Sequence, residues 1–553
     1  MSKTLVIGLD GVPLHLVEGW ISKGKLPNLQ RLIKGGAVGH LNSTTPHTSA
    51  AAWSSFMTGK NPGKTGIYDF LERRKNSYTF VPNNSDTRSG KAVWRVLSEA
   101  GKRVGILNVP LTYPVEKVNG VMLTGWMTPY LAKDVTYPPD FMKELEAAIG
   151  NYSIYPLETF SEDKREAYFA ASHKLLRMLT DATLYTMRRA PWDFLMVVYF
   201  DTDRILHQLW HYLDPTHPFR RKDTGEDKSG PVMEYFSKLD ESIGKLLEQA
   251  GDDTNVIIMS DHGMGPTRNM IVLNTWLLQK GLIHLKKNPL SLLKYLTFKA
   301  GFTLRSIHQI VDHLGLAKHA EYKLMYSVDY LLKKIFLSFD DVDWSKTKAY
   351  SFGRSNGPIY LNVRGREPKG IIEPGEEYNK VRAEIANMAA QMTDPRTKEK
   401  LVGKVTYRED IYTGSYLEIA PDLTIDPSNE KDKFYGLSDF GANRVVEPMY
   451  RYSGMHRQFG LMILNGPAIK QGVKIEGANI IDIFPTILTT LDTPIPDDID
   501  GRPLLEALEA EKAKTIKWVS AEGEEGSTRK EANYTDEEVS QIEDRLRKLG
   551  YLG

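Results

Sequence analysis

The chain has 553 residues, of which 71 are Lys or Arg and 70 are Asp or Glu, so its formal net charge is only +1 at pH 7. This balance excludes the strong basic field of a nucleic-acid-binding protein, and the absence of cysteine excludes disulfides, zinc–thiolate sites and a cysteine nucleophile. Because we find no secretory signal pattern and no apolar run of about 18 residues, we expect a soluble, cytoplasmic protein.

Short apolar, β-branched runs alternate with segments of helical period through the first half of the chain. In chain order, the predicted elements are a strand at 4–9, a helix at 26–34, strands at 103–109 and 121–125, a helix at 162–189, and strands at 194–200 and 255–259. This alternation predicts an α/β fold with a mostly parallel central sheet and helices on both faces.

The second half divides into three parts. Residues 285–345 show helical periods rich in Lys, His and Leu, and we interpret them as a helical insertion or lid over the core formed by residues 1–284 and 346–508. Contact of this insertion with an anionic membrane surface is the alternative. Strands are predicted at 359–363, 422–425 and 461–464, and helices at 378–392 and 480–491. Residues 509–553 form a charged tail with a helix at about 536–549.

Four short stretches carry carboxylates or imidazoles beside predicted strand ends. They contain Asp10; Asp203 and His207; Asp261 and His262; and His456, which precedes the strand at 461–464. Because parallel strands present ligands at one edge of their sheet, we expect these side chains to converge on a metal centre. The spacing of Asp203 and His207 places both on one face of a helix. A capping Asp or a structural His explains any one stretch, but not all four.

A nucleophile candidate lies at the start of a predicted helix. Small residues after Ser49 favour a helix that begins at this serine, so its hydroxyl would face a phosphate near the positive helix end. An ordinary helix cap is the alternative. With the metal ligands, the set indicates a two-metal phosphohydrolase, because two metals stabilise both the attacking and the leaving oxygen of phosphoryl transfer.

Several motifs resemble the alkaline phosphatase superfamily, and within it the type I phosphodiesterase/nucleotide pyrophosphatase-like proteins. The resemblance is strongest to a microbial branch of predicted phosphohydrolases and phosphomutases, and it covers most of residues 1–505. The motifs are Gly8-Leu9-Asp10-Gly11, Leu26-Pro27-Asn28-Leu29, the segment 53–67, Ser260-Asp261-His262-Gly263, Asn362-Val363-Arg364-Gly365, Gly454-Met455-His456 and Asp482-Ile483-Phe484-Pro485-Thr486.

The resemblance implies the fold above, two divalent metal ions and a covalent phosphoseryl intermediate in the hydrolysis of a small-molecule phosphomonoester or phosphodiester. One metal would be held by Asp203, His207 and His456, and the other by Asp10, Asp261, His262 and the oxygen of Ser49. The metals would be zinc, with manganese as an alternative. The nucleophile of such enzymes lies nine residues before the position of Thr58, which selects Ser49 over Thr48.

Two departures separate the chain from better-known relatives. Nucleotide pyrophosphatases have a His-Gly-Ile segment followed by an Asn that contacts phosphate, whereas this chain has Thr65-Gly66-Ile67 followed by Phe70. The segment after Ser49 also lacks the Pro and Arg of a sulfatase signature. Two alternatives stay open, a phosphomutase with the same ligands and a non-catalytic, metal-stabilised binding protein. His211 and Asp214 are candidate outer-shell groups or surface residues.

Overall fold

A nine-stranded sheet forms the centre of the computed structural model. The structure describes residues 2–130, 132–155, 160–220, 227–313, 335–354, 356–450, 452–521 and 529–548. From edge to edge, the strands are Val473–Ile475, Ala37–Asn42, Phe459–Asn465, Thr254–Met259, Lys3–Leu9, Phe194–Tyr199, Val104–Val109, Gly120–Thr124 and Thr136–Tyr137.

The central strands are buried on both faces, which is why their sequences read as continuous apolar runs. Leu5 and Ile7 point into one core, while Val6 points into the other. One core contains the helices Leu14–Ile21, Pro27–Lys34, Phe141–Ile149, Arg165–Arg189, Asp201–Leu213 and Gly230–Ala250. The other contains Ser49–Thr58, Val93–Glu99 and Ile483–Thr490. The predicted fold class is therefore confirmed.

The sheet is mixed at two places. Phe459–Asn465 runs antiparallel to both of its neighbours, and Thr136–Tyr137 runs antiparallel to Gly120–Thr124. The remaining pairs are parallel. Most predicted strands agree with the structure within two residues. The strand predicted at 359–363 is shorter, because only Tyr360–Leu361 pairs with Ala349–Tyr350 and the chain at residue 362 bonds to residues 371 and 372 instead.

A third apolar core lies outside the central sheet, among residues 271–446. Its strands are Asn269–Val272, Ala349–Tyr350, Tyr360–Leu361, Val402–Tyr407, Leu423–Pro427, Asp432–Tyr435 and Val446–Pro448, and its helices include Leu273–Gln279, Pro289–Lys299 and Glu376–Ala390. Within the predicted insertion, the structure describes Pro289–Lys299 and Leu304–His313, and residues 314–334 lie outside the described residues. The domain boundaries remain a prediction.

Shorter elements complete the chain. They are the strands Leu71–Arg73, Phe80–Pro82, Gly263–Pro266, Gly454–Arg457, Ile495–Pro496 and Trp518–Val519, the α-helices Pro62–Thr65 and Ala510–Ala513, and 3-10 turns at Glu162–Lys164, Phe339–Asp341, Arg408–Asp410, Leu417–Ile419 and Ile480–Asp482. No helix in the described ranges combines the length and the apolar character that crossing a membrane requires.

The C-terminal helix Asp536–Lys548 docks on the body of the protein. Ile542 and Leu546 are buried in an apolar cluster that also contains Ala50, the neighbour of Ser49. The guanidinium of Arg545 lies 3.6 Å from the ring centroid of Tyr155. The C-terminal helix therefore shares an apolar cluster with the helix that carries the nucleophile candidate.

Candidate active site

Three adjacent strands deliver the three carboxylates of the site. Asp10 follows Lys3–Leu9, Asp203 lies in the first turn of the helix after Phe194–Tyr199, and Asp261 follows Thr254–Met259. Since Lys3–Leu9 pairs with both other strands in parallel register, their carboxyl ends meet. All three carboxylates are at least nine-tenths buried. The strand-end prediction therefore placed these side chains together correctly.

The turn after the first strand requires glycine at position 11. Gly11 has φ +72°, and a Cβ at this position would lie 2.7 Å from Oδ1 of Asp203. Its N–H donates to Oδ1 of Asp261 at 3.2 Å, while the indole N–H of Trp53 donates to Oδ2 of Asp10 at 3.0 Å. The turn thus holds Asp261 and leaves room for Asp203, while the indole of Trp53 holds Asp10.

The first group of potential ligands contains Asp203, His207 and His456. The two Nε2 atoms of the histidines are 2.9 Å apart, and each lies 3.4 Å from Oδ1 of Asp203. His456 does not simply precede a strand, as we expected, but lies within Gly454–Arg457, where it pairs with Met264. This antiparallel pairing carries His456 across to the edge where the central strands end.

The second group surrounds His262. Its Nε2 atom lies 3.6 Å from Oδ1 of Asp10, 3.5 Å from Oδ2 of Asp261 and 3.1 Å from Oγ of Ser49. The two groups adjoin, because the rings of His262 and His456 stack with centroids 3.6 Å apart. Nε2 of His262 is also 3.9 Å from Oδ1 of Asp203. All seven residues singled out in the sequence therefore lie in one buried cluster.

Main-chain carbonyls fix the orientation of all three imidazoles. Nδ1 of His207 donates to the carbonyl of Gly454 at 2.7 Å, that of His262 to Gly263 at 2.9 Å and that of His456 to His47 at 3.0 Å. Each neutral ring therefore turns the lone pair of Nε2 into the cluster. Two such lone pairs 2.9 Å apart repel one another unless a cation lies between them, so the donor set fits a metal ion.

The electrostatics of the carboxylates also favour the binding of cations to the cluster. Burial, followed by the charges of Asp261 and Asp203, raises the pKa of Asp10 well above its usual value. Burial and then Asp203 raise the pKa of Asp261 to about 7. Burial, with His262 next, lowers the pKa of His456 to about 3, so this ring stays neutral. Divalent cations stabilise the ionised form of such carboxylates, which makes the cluster chemically suited to them.

Ser49 is free of a capping role. The helix Ser49–Thr58 has Thr48 as its N-cap, and Oγ1 of Thr48 accepts the N–H of Ala51 at 3.3 Å. The hydroxyl of Ser49 instead lies in the cluster, 3.4 Å from Oδ1 of Asp10. In the sequence, helix capping was an alternative role for Ser49. In the structure, the capping residue is Thr48.

Replacing Thr48 with alanine should therefore affect stability more than turnover. Loss of the cap is expected to lower the free energy of unfolding by about 0.5–2 kcal/mol, measured by thermal or urea unfolding. Turnover of a phosphate ester by the folded variant should stay within about threefold of the parent, since the reacting groups remain in place. A loss of turnover as large as that of Ser49→Ala would identify Thr48 as the nucleophile instead.

The two outer-shell candidates have local roles. Nδ1 of His211 lies 3.0 Å from Oγ of Ser453, and Ser453 bonds through its N–H to the carbonyl of His207. Asp214 accepts the N–H of Thr216 at 2.8 Å, which is a turn contact. The groups that orient the three histidines are the carbonyls of His47, Gly263 and Gly454. A pattern of side chains in the sequence cannot reveal such main-chain groups.

Comparison with known proteins matches the sequence to a family. The sequence model of type I phosphodiesterase/nucleotide pyrophosphatase matches residues 4–436. The chain belongs to this family. It is a family of the alkaline phosphatase superfamily, as the motifs indicated. His456 lies beyond the matched residues, so its assignment to the site depends on the structure. No curated protein matches the chain.

A solved structure shares the fold of this phosphodiesterase-family chain. Phosphonoacetate hydrolase from Sinorhizobium meliloti 1021, in complex with phosphonoformate, is 13% identical with a TM-score of 0.51, over 89% of this chain and 96% of that one. Human ectonucleotide pyrophosphatase/phosphodiesterase 5 is 12% identical with a TM-score of 0.47, over 91% and 96%. At these identities, the first likeness supports the fold alone.

The departure at Phe70 has a structural explanation. Phe70 packs edge-to-face on Trp126, with ring centroids 4.7 Å apart, in the cluster that also buries Ile67 and Ala50. An apolar side chain here offers no hydrogen bond to a phosphoryl oxygen. A hydrogen bond of that kind would have to come from a polar side chain elsewhere.

Proposed function

We propose that the chain is a two-metal phosphohydrolase that cleaves phosphate esters through a covalent intermediate on Ser49. The observation that carries this proposal is the 2.9 Å approach of the His207 and His456 Nε2 atoms, both with Nδ1 bonded to a carbonyl. That arrangement suits a cation, and it lies in one cluster with a serine hydroxyl. The family match supports ester hydrolysis at such a cluster.

The residues divide into two sets of potential ligands, and His262 of the second set lies next to the first. Asp203, His207 and His456 would hold one ion, and Asp10, Asp261, His262 and the oxygen of Ser49 would hold the other. Mixed nitrogen and oxygen donors suit zinc, and manganese is the alternative. When bound, the ions stabilise negative charge on the attacking and leaving oxygens.

The chain's own residues position the reaction. Oγ of Ser49 loses its proton and attacks phosphorus, the bond to the ester oxygen breaks, the leaving alcohol takes up a proton, and a phosphoseryl group forms. Water then attacks phosphorus, the bond from phosphorus to Oγ breaks, and the hydroxyl of Ser49 is restored, with release of phosphate from a monoester or of a phosphate monoester from a diester. Ser49 is the first residue of a ten-residue helix, so the positive helix end faces the phosphoryl group during both steps. Burial would strengthen the attraction between the ionised carboxylates and bound divalent cations, since water does not screen it.

Removing divalent ions tests the proposal. Dialysis against a chelator is expected to lower the release of nitrophenol from 4-nitrophenyl phosphate or its bis-ester by at least about 100-fold. Zinc or manganese should restore it, and elemental analysis should find two ions per active chain. Product analysis with a phosphorylated sugar separates a hydrolase, which releases inorganic phosphate, from a phosphomutase, which returns the phosphoryl group to another hydroxyl of the sugar. Full turnover by protein that holds no divalent ion would refute the proposal.

A further inference from the structure

The helix Pro289–Lys299 turns its leucines away from the protein. All four are between 55% and 60% exposed, namely Leu290, Leu292, Leu293 and Leu296. The side chains that this helix buries against the protein are instead those of Ser291, Lys294 and Phe298. A surface helix ordinarily buries its leucines and exposes its lysines, so the usual amphipathic arrangement is inverted here.

Hydrogen bonds and an ion pair fix this orientation. Oγ of Ser291 donates to Oδ1 of Asp341 at 2.8 Å, and Nζ of Lys294 lies 3.1 Å from Oδ2 of the same carboxylate. The N–H of Ser338 also donates to Oδ2 of Asp341, at 3.1 Å. Both partners of the ion pair are buried, so a rotation that covered the leucines would leave a buried charge unpaired. The leucines are therefore held outward.

The apolar surface is suited to the surface of a membrane rather than to its interior. Phe302 and Ile310, which follow the helix in the chain, are exposed as well. Exposed apolar side chains in such numbers mark a site of interaction with a protein or a membrane. The helix Pro289–Lys299 has 11 residues, whereas about 20 are needed to cross a bilayer, so it could only lie in the interface.

The stretch of chain around the leucines carries only positive charge. No Asp or Glu occurs between Asp261 and Asp312, although the whole chain has 70 acidic residues against 71 basic ones. Lys286 and Lys287 precede the helix, Lys299 ends it, and all three are exposed. Leucines with lysines at both ends of the helix are typical of a helix that lies among the headgroups of an anionic membrane.

The lysine charges are available to such a partner. Nζ of Lys286 donates to the main-chain carbonyl of Asp340 at 2.6 Å, and Nζ of Lys299 lies 5.4 Å from the ring centroid of Tyr295. Within the described ranges, neither lysine forms an ion pair with a carboxylate. A second copy bound through the same face would bring lysines against lysines, which repel. Protein interfaces are also poor in Lys, so the charge pattern favours an anionic bilayer.

We propose that the helix Pro289–Lys299 attaches the protein to the surface of an anionic phospholipid membrane. Its leucines would lie among the upper parts of the lipid chains, and its lysines would lie against the headgroups. The leucines gain free energy on leaving water, and each lysine adds an attraction that salt screens. This attachment is separate from the chemistry proposed at Ser49 and does not depend on it.

Co-sedimentation of the full chain with lipid vesicles tests the proposal. Vesicles of phosphatidylcholine with about one third phosphatidylglycerol should bind the protein at least about tenfold more tightly than phosphatidylcholine alone. About 0.5 M salt should weaken that binding by a similar factor. Leu293→Gln combined with Leu296→Gln should lower the partition coefficient at least about tenfold. Lys286→Gln combined with Lys287→Gln should lower it about tenfold on the anionic vesicles alone.

Matched control variants change the same chemistry elsewhere in the chain. Ile419→Gln combined with Leu505→Gln removes two exposed apolar side chains, and Lys23→Gln combined with Lys25→Gln removes two exposed charges. Each control should change vesicle binding by less than about twofold. Unfolding temperatures show whether each variant is folded, and the variant with both lysines replaced carries the test if the leucine variant is not.

Three results would overturn the proposal. The first is an absence of binding to anionic vesicles, or equal binding to anionic and neutral ones. The second is a dimer, measured by sedimentation velocity without vesicles, that the leucine substitutions abolish, because the face would then belong to a second copy. The third is a lower unfolding temperature of the leucine variant with unchanged vesicle binding, because another part of the chain would then cover the leucines. Turnover enters none of these measurements, so the proposed function is tested separately.

Discussion

Replacing Ser49 with alanine is expected to lower kcat/KM for a phosphate ester by roughly 10³-fold or more. The hydroxyl lies 3.1 Å from Nε2 of His262 and 3.4 Å from Oδ1 of Asp10, at the start of a helix whose cap is a different residue. Its removal deletes the attacking oxygen but leaves six of the seven proposed ligand side chains. Elemental analysis should therefore find most of the divalent metal still bound.

Ser55→Ala provides the matched control for this experiment. Ser55 is buried in the same helix, and its Oγ has no hydrogen-bond partner among the described residues. Removal of that hydroxyl should leave turnover and metal content unchanged. A Ser49→Ala protein that still releases nitrophenol at the parental rate would exclude the phosphoseryl intermediate, whatever its metal content.

Replacing His262 with alanine is expected to disturb both ion sites at once. Its Nε2 atom lies 3.6 Å from Asp10, 3.5 Å from Asp261 and 3.9 Å from Asp203, so it borders carboxylates of both groups. Its ring also supports that of His456 by stacking. We expect turnover to fall by at least about 100-fold, because metal stabilisation of charge contributes several kcal/mol. Metal content should drop below that of Ser49→Ala.

His211→Ala is the appropriate comparison for His262. His211 lies on the same helix as His207, but its Nδ1 contacts Ser453 rather than the cluster. This variant should keep both ions and most of its turnover. If His262→Ala retained two ions per chain and near-normal turnover, the proposed ligand sets would be wrong.

The sequence predicted most of the central fold and the convergence of the carboxylates. Asp10, Asp203 and Asp261 could be placed together because each follows a buried apolar strand, and parallel strands end at one edge. Asp203 and His207 share a helix face by their spacing alone. These inferences need only local pattern and the geometry of a parallel sheet.

The remaining features of the site depend on long-range strand pairing, which the sequence pattern does not predict. His456 enters the cluster through the register Met264–His456, and nothing local to either segment specifies that pairing. The carbonyls that orient the histidines belong to the backbone, which every residue has, so they leave no signal in side-chain chemistry.

The use of peptide carbonyls to hold the three imidazoles ties their alignment to the path of the main chain. The acceptor at residue 47 is present whichever amino acid occupies that position, whereas a Cβ at Gly263 or Gly454 would clash with the carbonyl of Phe459 or of Leu206, so a substitution at either glycine would shift the backbone. In a site oriented by carboxylate side chains, one nucleotide change would free a ring to rotate. Here, drift in metal preference has to arise from replacement of the ligands themselves or from a bend in the main chain.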